Sequence, residues 1–184
     1  MIERALKDYD AALGFRHVIF RYFNACGADP EGLLGEDHDP EIHLVPRAIL
    51  ALATGPALQV FGDDYPTPDG TCIRDFIHVT DLADAHVRGL RDLEAGAASA
   101  SYNLGMGDGV SVRDVIAAVT RVMGREVPHV IAARRAGDAS RLVASNAKGR
   151  GSVSWTPRHS DLDTIVATAW AWHKTHPKGY GTNE

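Results

Sequence analysis

Apolar positions three and four apart open the chain, with Ile2, Leu6, Tyr9 and Leu13 on one helical stripe and Gly14 following where a left-handed C-cap belongs. The spacing predicts a helix over 1–13 that starts without a capping residue, as if its first turn were missing. The run 18–23 is β-branched and aromatic and reads as a strand. A long acidic, glycine-containing loop is expected over 24–41, then a helix over 43–54 stopped by Gly55-Pro56, a short strand at 58–61 and a turn through 62–70. A strand at 75–79 leads to a helix capped by Thr80 with Asp81 in its first turn, ending near Glu94. A third short strand covers 101–104. Ser111 with Asp114 resembles a capping box ahead of the stripe Val112, Val115, Ile116, Val119 and Val122. The last helix is expected to open at Ser160 with Asp163 and to bury Leu162, Ile165, Val166, Ala169 and Trp172. Strands alternating with amphipathic helices define an α/β class, without internal repeats or low-complexity segments.

Composition narrows the classes. A chain of 184 residues with 45% hydrophobic and 23% charged residues can build one ordinary core. The net charge of −5 gives no general attraction to nucleic acid or an acidic membrane, so an anionic ligand must be held by local arginines. Cys26 and Cys72 lack a C-x-x-C spacing and read as buried free thiols of a reducing compartment. No apolar run approaches the roughly 18 residues of a membrane span, and the opening residues lack a secretory signal core, so a cytoplasmic protein is expected.

Candidate chemistry divides into patterns that fail and patterns that hold. Gly105-Met106-Gly107-Asp108-Gly109 sits between a strand and a helix, as a dinucleotide turn should, but Val110 stands where G-x-G-x-x-G needs its third glycine. A plain glycine-rich turn is the better reading. His38 and His43, among Glu36, Asp37, Asp39 and Glu41, suggest a metal site only weakly, because structural zinc sites use tightly spaced Cys/His sets; a solvated acidic loop is expected and no metal. Trp155, Trp170 and Trp172 read as packing residues. Arg74 and Arg135 are the candidate anion contacts, since guanidinium is always charged and forks onto phosphate oxygens. On local pattern alone each reads first as a surface ion pair, and Asp138 as a partner of one of them.

Six strings change that reading: Arg21-Tyr22-Phe23-Asn24; His43-Leu44-Val45-Pro46; Phe61-Gly62-Asp63-Asp64-Tyr65-Pro66-Thr67-Pro68-Asp69-Gly70-Thr71; Arg74-Asp75-Phe76-Ile77-His78-Val79; Tyr102-Asn103-Leu104-Gly105; and Arg134-Arg135-Ala136-Gly137-Asp138. Their order and spacing, with the ending Ala169-Trp170-Ala171-Trp172-His173, resemble the C-terminal part of the UDP-glucose 4-epimerase family over essentially the whole chain. The resemblance implies part of an extended short-chain dehydrogenase: an incomplete Rossmann-type parallel sheet plus a smaller α/β substrate-binding domain. It divides the chain into a remnant of the NAD-binding domain over 1–24 and a substrate domain over 25–184, with 74–95 and 101–110 returning to the first.

It also implies roles. Asn24, Arg74 and Arg135 would hold a diphosphate, Asp138 would meet the ribose, His43 and Leu44 would touch the nucleotide, and Gln59 and Phe61 would flank the uracil. Phe23 would lie near the nicotinamide cofactor and Leu142 would line the sugar pocket, where residue size bears on N-acetylated sugars. UDP-glucose or UDP-galactose is the expected ligand, NAD the cofactor and a homodimer the parent assembly. Two departures stand out. Ala136 replaces a common glutamate, and Gly149 and Gly151 each cost a helix about 1 kcal/mol, so a frayed helix is expected there.

Family catalysis needs a Tyr-x-x-x-Lys pair and a Gly-rich NAD turn. The residues four after Tyr9, Tyr22, Tyr65, Tyr102 and Tyr180 are Leu13, Cys26, Asp69, Met106 and Glu184, so no tyrosine here has its lysine. The chain is therefore expected to bind a UDP-sugar without turning it over, its cut falling inside the helix that bears that pair. A stand-alone binding module or partner subunit, and a related UDP-sugar decarboxylase or dehydratase, are the alternatives. With the neighbours of strand 18–23 absent, aggregation or partial disorder of the isolated chain is expected.

Overall fold

The computed structural model describes residues 1–53, 55–152 and 155–181. Helix α1 (Ile2–Leu13) closes at Gly14, whose φ of 67° lets its N–H donate to the Asp10 carbonyl. Strand β1 (Val18–Tyr22) pairs in parallel with β6 (Ala100–Leu104), setting Phe20 opposite Tyr102. β2 (Asn24–Cys26) pairs in parallel with β5 (Phe76–His78), and α3 (Val79–Glu94) follows β5 directly. Ile77, Ala85, Leu104 and Trp155 close one small apolar cluster, joined by Phe20 and Tyr102.

The larger core lies in a second layer. The stripes of α2 (Leu44–Ala53), α4 (Val112–Met123) and α6 (Leu162–Thr175) meet over β3 (Leu58–Phe61), which pairs in parallel with β8 (His129–Ala132). Ile49, Val115, Val119, Ile165 and Val166 are wholly buried there. Between the two clusters, β4 (Ile73–Arg74) runs antiparallel to β7 (Val110–Ser111) and parallel to β9 (Arg141–Leu142). Short α5 (Ala147–Ser152) and β10 (Pro177–Tyr180) complete the elements.

The α/β class, the helices and the Ser111–Asp114 capping box stand as the pattern predicts, the Ser111 side chain accepting from Asp114 N–H at 3.0 Å. Several boundaries differ for physical reasons. The expected loop 24–41 begins as strand, because Asn24 N–H donates to the Asp75 carbonyl at 3.1 Å. The rest of that loop is tied down: Trp172 Nε1–H donates to the Glu36 carbonyl at 2.9 Å and Tyr180 N–H to Asp37 Oδ2 at 3.0 Å. α3 is capped by His78 rather than Thr80, the imidazole Nδ1 accepting from Thr80 N–H at 3.1 Å. α6 is capped by Asp161 rather than Ser160, whose hydroxyl instead donates to Asp81 Oδ2 at 2.6 Å. α5 forms despite Gly149, which lies buried where a Cβ would stand 3.3 Å from the Asn103 carbonyl. Strands β7, β8, β9 and β10 are two to four residues long, too short to announce themselves by alternation.

Candidate nucleotide pocket

A cavity of about 220 Å³ opens along β3 beside the first turn of α2, with Arg135, just past the end of β8, also in its wall. Open α/β sheets place ligands outside the carboxyl ends of their strands. Asn24, His43, Leu44, Gln59, Phe61, Arg74, Arg135 and Asp138 all line it. Leu142 and Phe23 are not part of that wall. Leu142 lies half-exposed on β9 in register with Arg74, and Phe23 sits at the junction of β1 and β2.

Arg74, on the short β4, donates from one guanidinium nitrogen to the carbonyls of Ile73 at 2.9 Å and Ala139 at 2.7 Å, and from the other to Asp138 Oδ1 at 3.3 Å. The ion pair anticipated from local pattern therefore exists, within the cavity wall. Arg135 leaves β8 through a turn closed by Asp138 N–H donating to its carbonyl, and its guanidinium carbon stacks 3.6 Å from the Phe61 ring centroid. Among the described residues it pairs with no carboxylate. Its neighbour Arg134 is committed elsewhere, bonded to Asp64 Oδ1 at 2.6 Å and stacked on Tyr65 at 4.1 Å. Asn24 Nδ2 donates to the Asp75 carbonyl at 2.8 Å, leaving its oxygen available. Gln59 is exposed between buried Leu58 and Val60, so the strand's alternation turns it away from the core. Burial pushes the Cys26 thiol far up, keeping this wall residue an inert thiol.

Arg47 also lines the cavity and escaped the sequence reading. It lies one helical turn beyond His43, and its N–H donates to the His43 carbonyl at 3.1 Å, so i, i+4 spacing from a candidate residue was the available signal.

The glycine turn at 105–109 does not offer a phosphate cradle. Met106 and Gly107 N–H donate to Asp75 Oδ1 at 2.7 Å and Oδ2 at 3.0 Å, and Ala144 N–H donates to Oδ2 at 3.0 Å. Asp75 is wholly buried and serves as the internal anion for those amides. These residues do not fit the pyrophosphate of NAD.

Glu36, His38 and His43 each bring one potential metal-ligand atom within 4.8 Å of the others, although sequence spacing gave no such site. Burial, then the neighbouring Glu41 carboxylate, raise the Glu36 carboxyl above its ordinary range.

A parallel α/β scaffold with an arginine-bearing cavity places the chain in the Rossmann-related class. A sequence model of the NAD dependent epimerase/dehydratase family matches residues 1–105, and the chain belongs to that family. It is 46% identical over 181 residues to a UDP-glucose 4-epimerase of Lacticaseibacillus casei, covering 98% of this chain and 55% of the relative. A solved UDP-glucose 4-epimerase superposes with a TM-score of 0.94 at 50% identity, over 98% of this chain and 55% of that one. A Bifidobacterium longum UDP-glucose 4-epimerase solved in complex with NAD+ and UDP gives 0.86 at 37% identity, covering 97% of this chain and 53% of that one. The chain spans about half the length of the relatives it matches and corresponds to their C-terminal half. No described helix is long and apolar enough to cross a membrane.

Proposed function

We propose that the cavity binds the nucleoside diphosphate of UDP-glucose or UDP-galactose, and that this chain provides the substrate-holding half of a 4-epimerase. The observation that carries the reading is the convergence of eight separate candidate side chains on one cavity, with the Arg135 guanidinium preoriented on Phe61 and free of a carboxylate partner among the described residues. In a protein of net charge −5 a diphosphate needs fixed cations, and Arg135 and Arg74 supply them. The Asn24 amide completes that contact, Asp138 accepts from ribose hydroxyls, Gln59 and Phe61 flank the uracil, and His43 and Leu44 close the nucleotide from α2. Roles for Leu142 at the sugar and Phe23 near the cofactor rest on family resemblance.

NAD and the proton-transferring Tyr-x-x-x-Lys pair are, in this reading, contributed by protein outside these residues: the sequence contains no such pair, and the amides of its glycine turn are taken by Asp75. The smaller apolar cluster, around Ile77 and Leu104, supports assigning 1–24, 74–95 and 101–110 to the cofactor domain of a homodimeric parent. Buried free Cys26 and Cys72 agree with a cytoplasmic setting.

Titration calorimetry of the purified chain tests the pocket. UDP binds with one-to-one stoichiometry and uridine at least about tenfold more weakly, since the diphosphate contacts are charge-assisted. Equal affinity for the two would remove the diphosphate from the reading. Interconversion of UDP-glucose and UDP-galactose by the chain alone, with NAD supplied, would contradict its assignment as a holding half.

A further inference from the structure

The loop entering α2 gathers four groups with the chemistry of a metal-ligand set. Glu36 Oε1 lies 2.7 Å from His43 Nδ1 and 3.6 Å from His38 Nδ1, and Glu41 Oε1 lies 3.0 Å from His43 Nδ1. The two imidazole rings meet edge to face, 4.8 Å between centroids. A tetrahedral zinc ion with bonds of about 2.0–2.2 Å keeps its ligands roughly 3.3–3.5 Å apart, so closing around an ion asks for movements of about 1 Å.

We propose that Glu36, His38 and His43, whose ligand atoms all lie within 4.8 Å of one another, form a site for a divalent transition metal of the zinc class. The donor set, two imidazoles and a carboxylate, suits that borderline ion and offers no thiolate to favour softer ones. A further observation supports a built site: the loop carrying it is anchored on both sides of Glu36, where the Tyr180 hydroxyl donates to the Gly35 carbonyl at 3.1 Å, Trp172 Nε1–H to the Glu36 carbonyl at 2.9 Å, and Tyr180 N–H to Asp37 Oδ2 at 3.0 Å. Glu41 is fixed in turn, since its Oε1 accepts the His43 N–H at 2.6 Å.

Because His43 is also a wall residue of the nucleotide cavity, an ion here fixes the ring that faces that cavity. Metal binding itself does not depend on the nucleotide reading, so the test uses the metal alone. Metal-free chain is titrated with Zn2+ by calorimetry and with Co2+ by absorption. One equivalent binds with a dissociation constant of roughly micromolar or tighter, and Co2+ develops the visible bands of a four-coordinate ion. His38→Ala and Glu36→Gln each weaken binding at least tenfold, whereas His86→Ala and His129→Ala, outside the cluster, leave it unchanged. His38 is exposed, so its variant keeps the wild-type circular dichroism, and His38→Cys restores a ligand and most of the affinity. Binding no tighter than millimolar, or affinity indifferent to His38→Ala in a folded variant, overturns the site.

Discussion

Arg135 is the residue on which the nucleotide reading turns, and its environment makes the test clean. It is exposed, stacks on Phe61 and belongs to no ion pair among the described residues, so its removal leaves the fold alone. A hydrogen bond to a charged group contributes about 1.5–3 kcal/mol, so Arg135→Ala weakens UDP binding about tenfold to a hundredfold in calorimetry, with an unchanged melting temperature. Arg135→Lys keeps the charge and loses the planar fork and the stacking on Phe61, and falls between. Arg134→Ala behaves oppositely: it releases Asp64 and Tyr65 and touches the ligand little.

A second expectation at this scale concerns pH. Burial is the leading cause that lowers the pKa of both His78 and His173 from 6.5; for His78 the Asp81 charge works against it, and for His173 the Glu41 charge does. The unfolded chain therefore binds more protons than the folded one just below pH 6.5, so stability rises with pH across that window. The contribution is fully present above the unfolded value and is lost as pH falls through the lowered folded values. Thermal melts at half-unit steps between pH 7.5 and pH 5 should show it (about two and a half units around the free histidine pKa). A melting temperature that is flat or higher at the acid end of that range counts against the assignment.

Among the elements, β4, β5 and the 105–107 turn are held by one carboxylate. Asp75 carries three backbone N–H donors in a wholly buried position, so Asp75→Asn turns an amide NH2 toward at least one of them. Leaving a buried donor unsatisfied costs about 1–3 kcal/mol. A domain of this size loses about 2–4 °C in melting temperature for each of those kcal/mol, and amide exchange at Met106 and Gly107 accelerates ahead of the rest of the chain. An unaltered melt would mean that these amides find other partners.

Elements with their own period were legible in the sequence. The stripes and caps of α1, α2 and α4 are local information, and the box Ser111–Asp114 is written in four consecutive residues. What was not legible depends on distant partners. β8 is a strand because β3 lies beside it, Ser160 gives up the cap of α6 because its hydroxyl donates to Asp81, and Asp75 meets a turn thirty-one residues later. The pocket shows the same limit. Arg74 and Asp138, which share one wall, stand sixty-four positions apart; side-chain chemistry marked Arg74 as an anion contact, and only family resemblance joined the two into one site in advance. Arg47 needed no distant knowledge, since helical spacing from His43 sufficed. The pairing of Glu36 with His38 and His43 was within reach too, but a rule based on Cys/His spacing passed over carboxylates.

At the scale of the whole molecule, the unusual feature is an apolar helical stripe that the described residues leave exposed. α1 buries none of its residues: Ile2 is 78% exposed, Tyr9 57% and Leu13 73%. Among the described residues β1 has a strand on one side only, β6, leaving the other row of its backbone N–H and C=O groups available. Parallel strands are normally covered on both faces and flanked, and contiguous exposed apolar surface marks an interaction surface or an aggregation site. The chain is therefore expected to self-associate, through the α1 stripe and the open side of β1 together. Light scattering across a hundredfold dilution series shows a mass that rises with concentration, and Leu13→Glu combined with Ile2→Lys lowers it by charging the stripe without touching the core. UDP binding is unaffected by that double change, because the cavity rests on the separate core formed by α2, α4, α6 and β3. A monodisperse monomer with a sharp two-state melt would instead show that the second core alone sustains the fold, with α1 and β1 tolerated as solvent-facing elements.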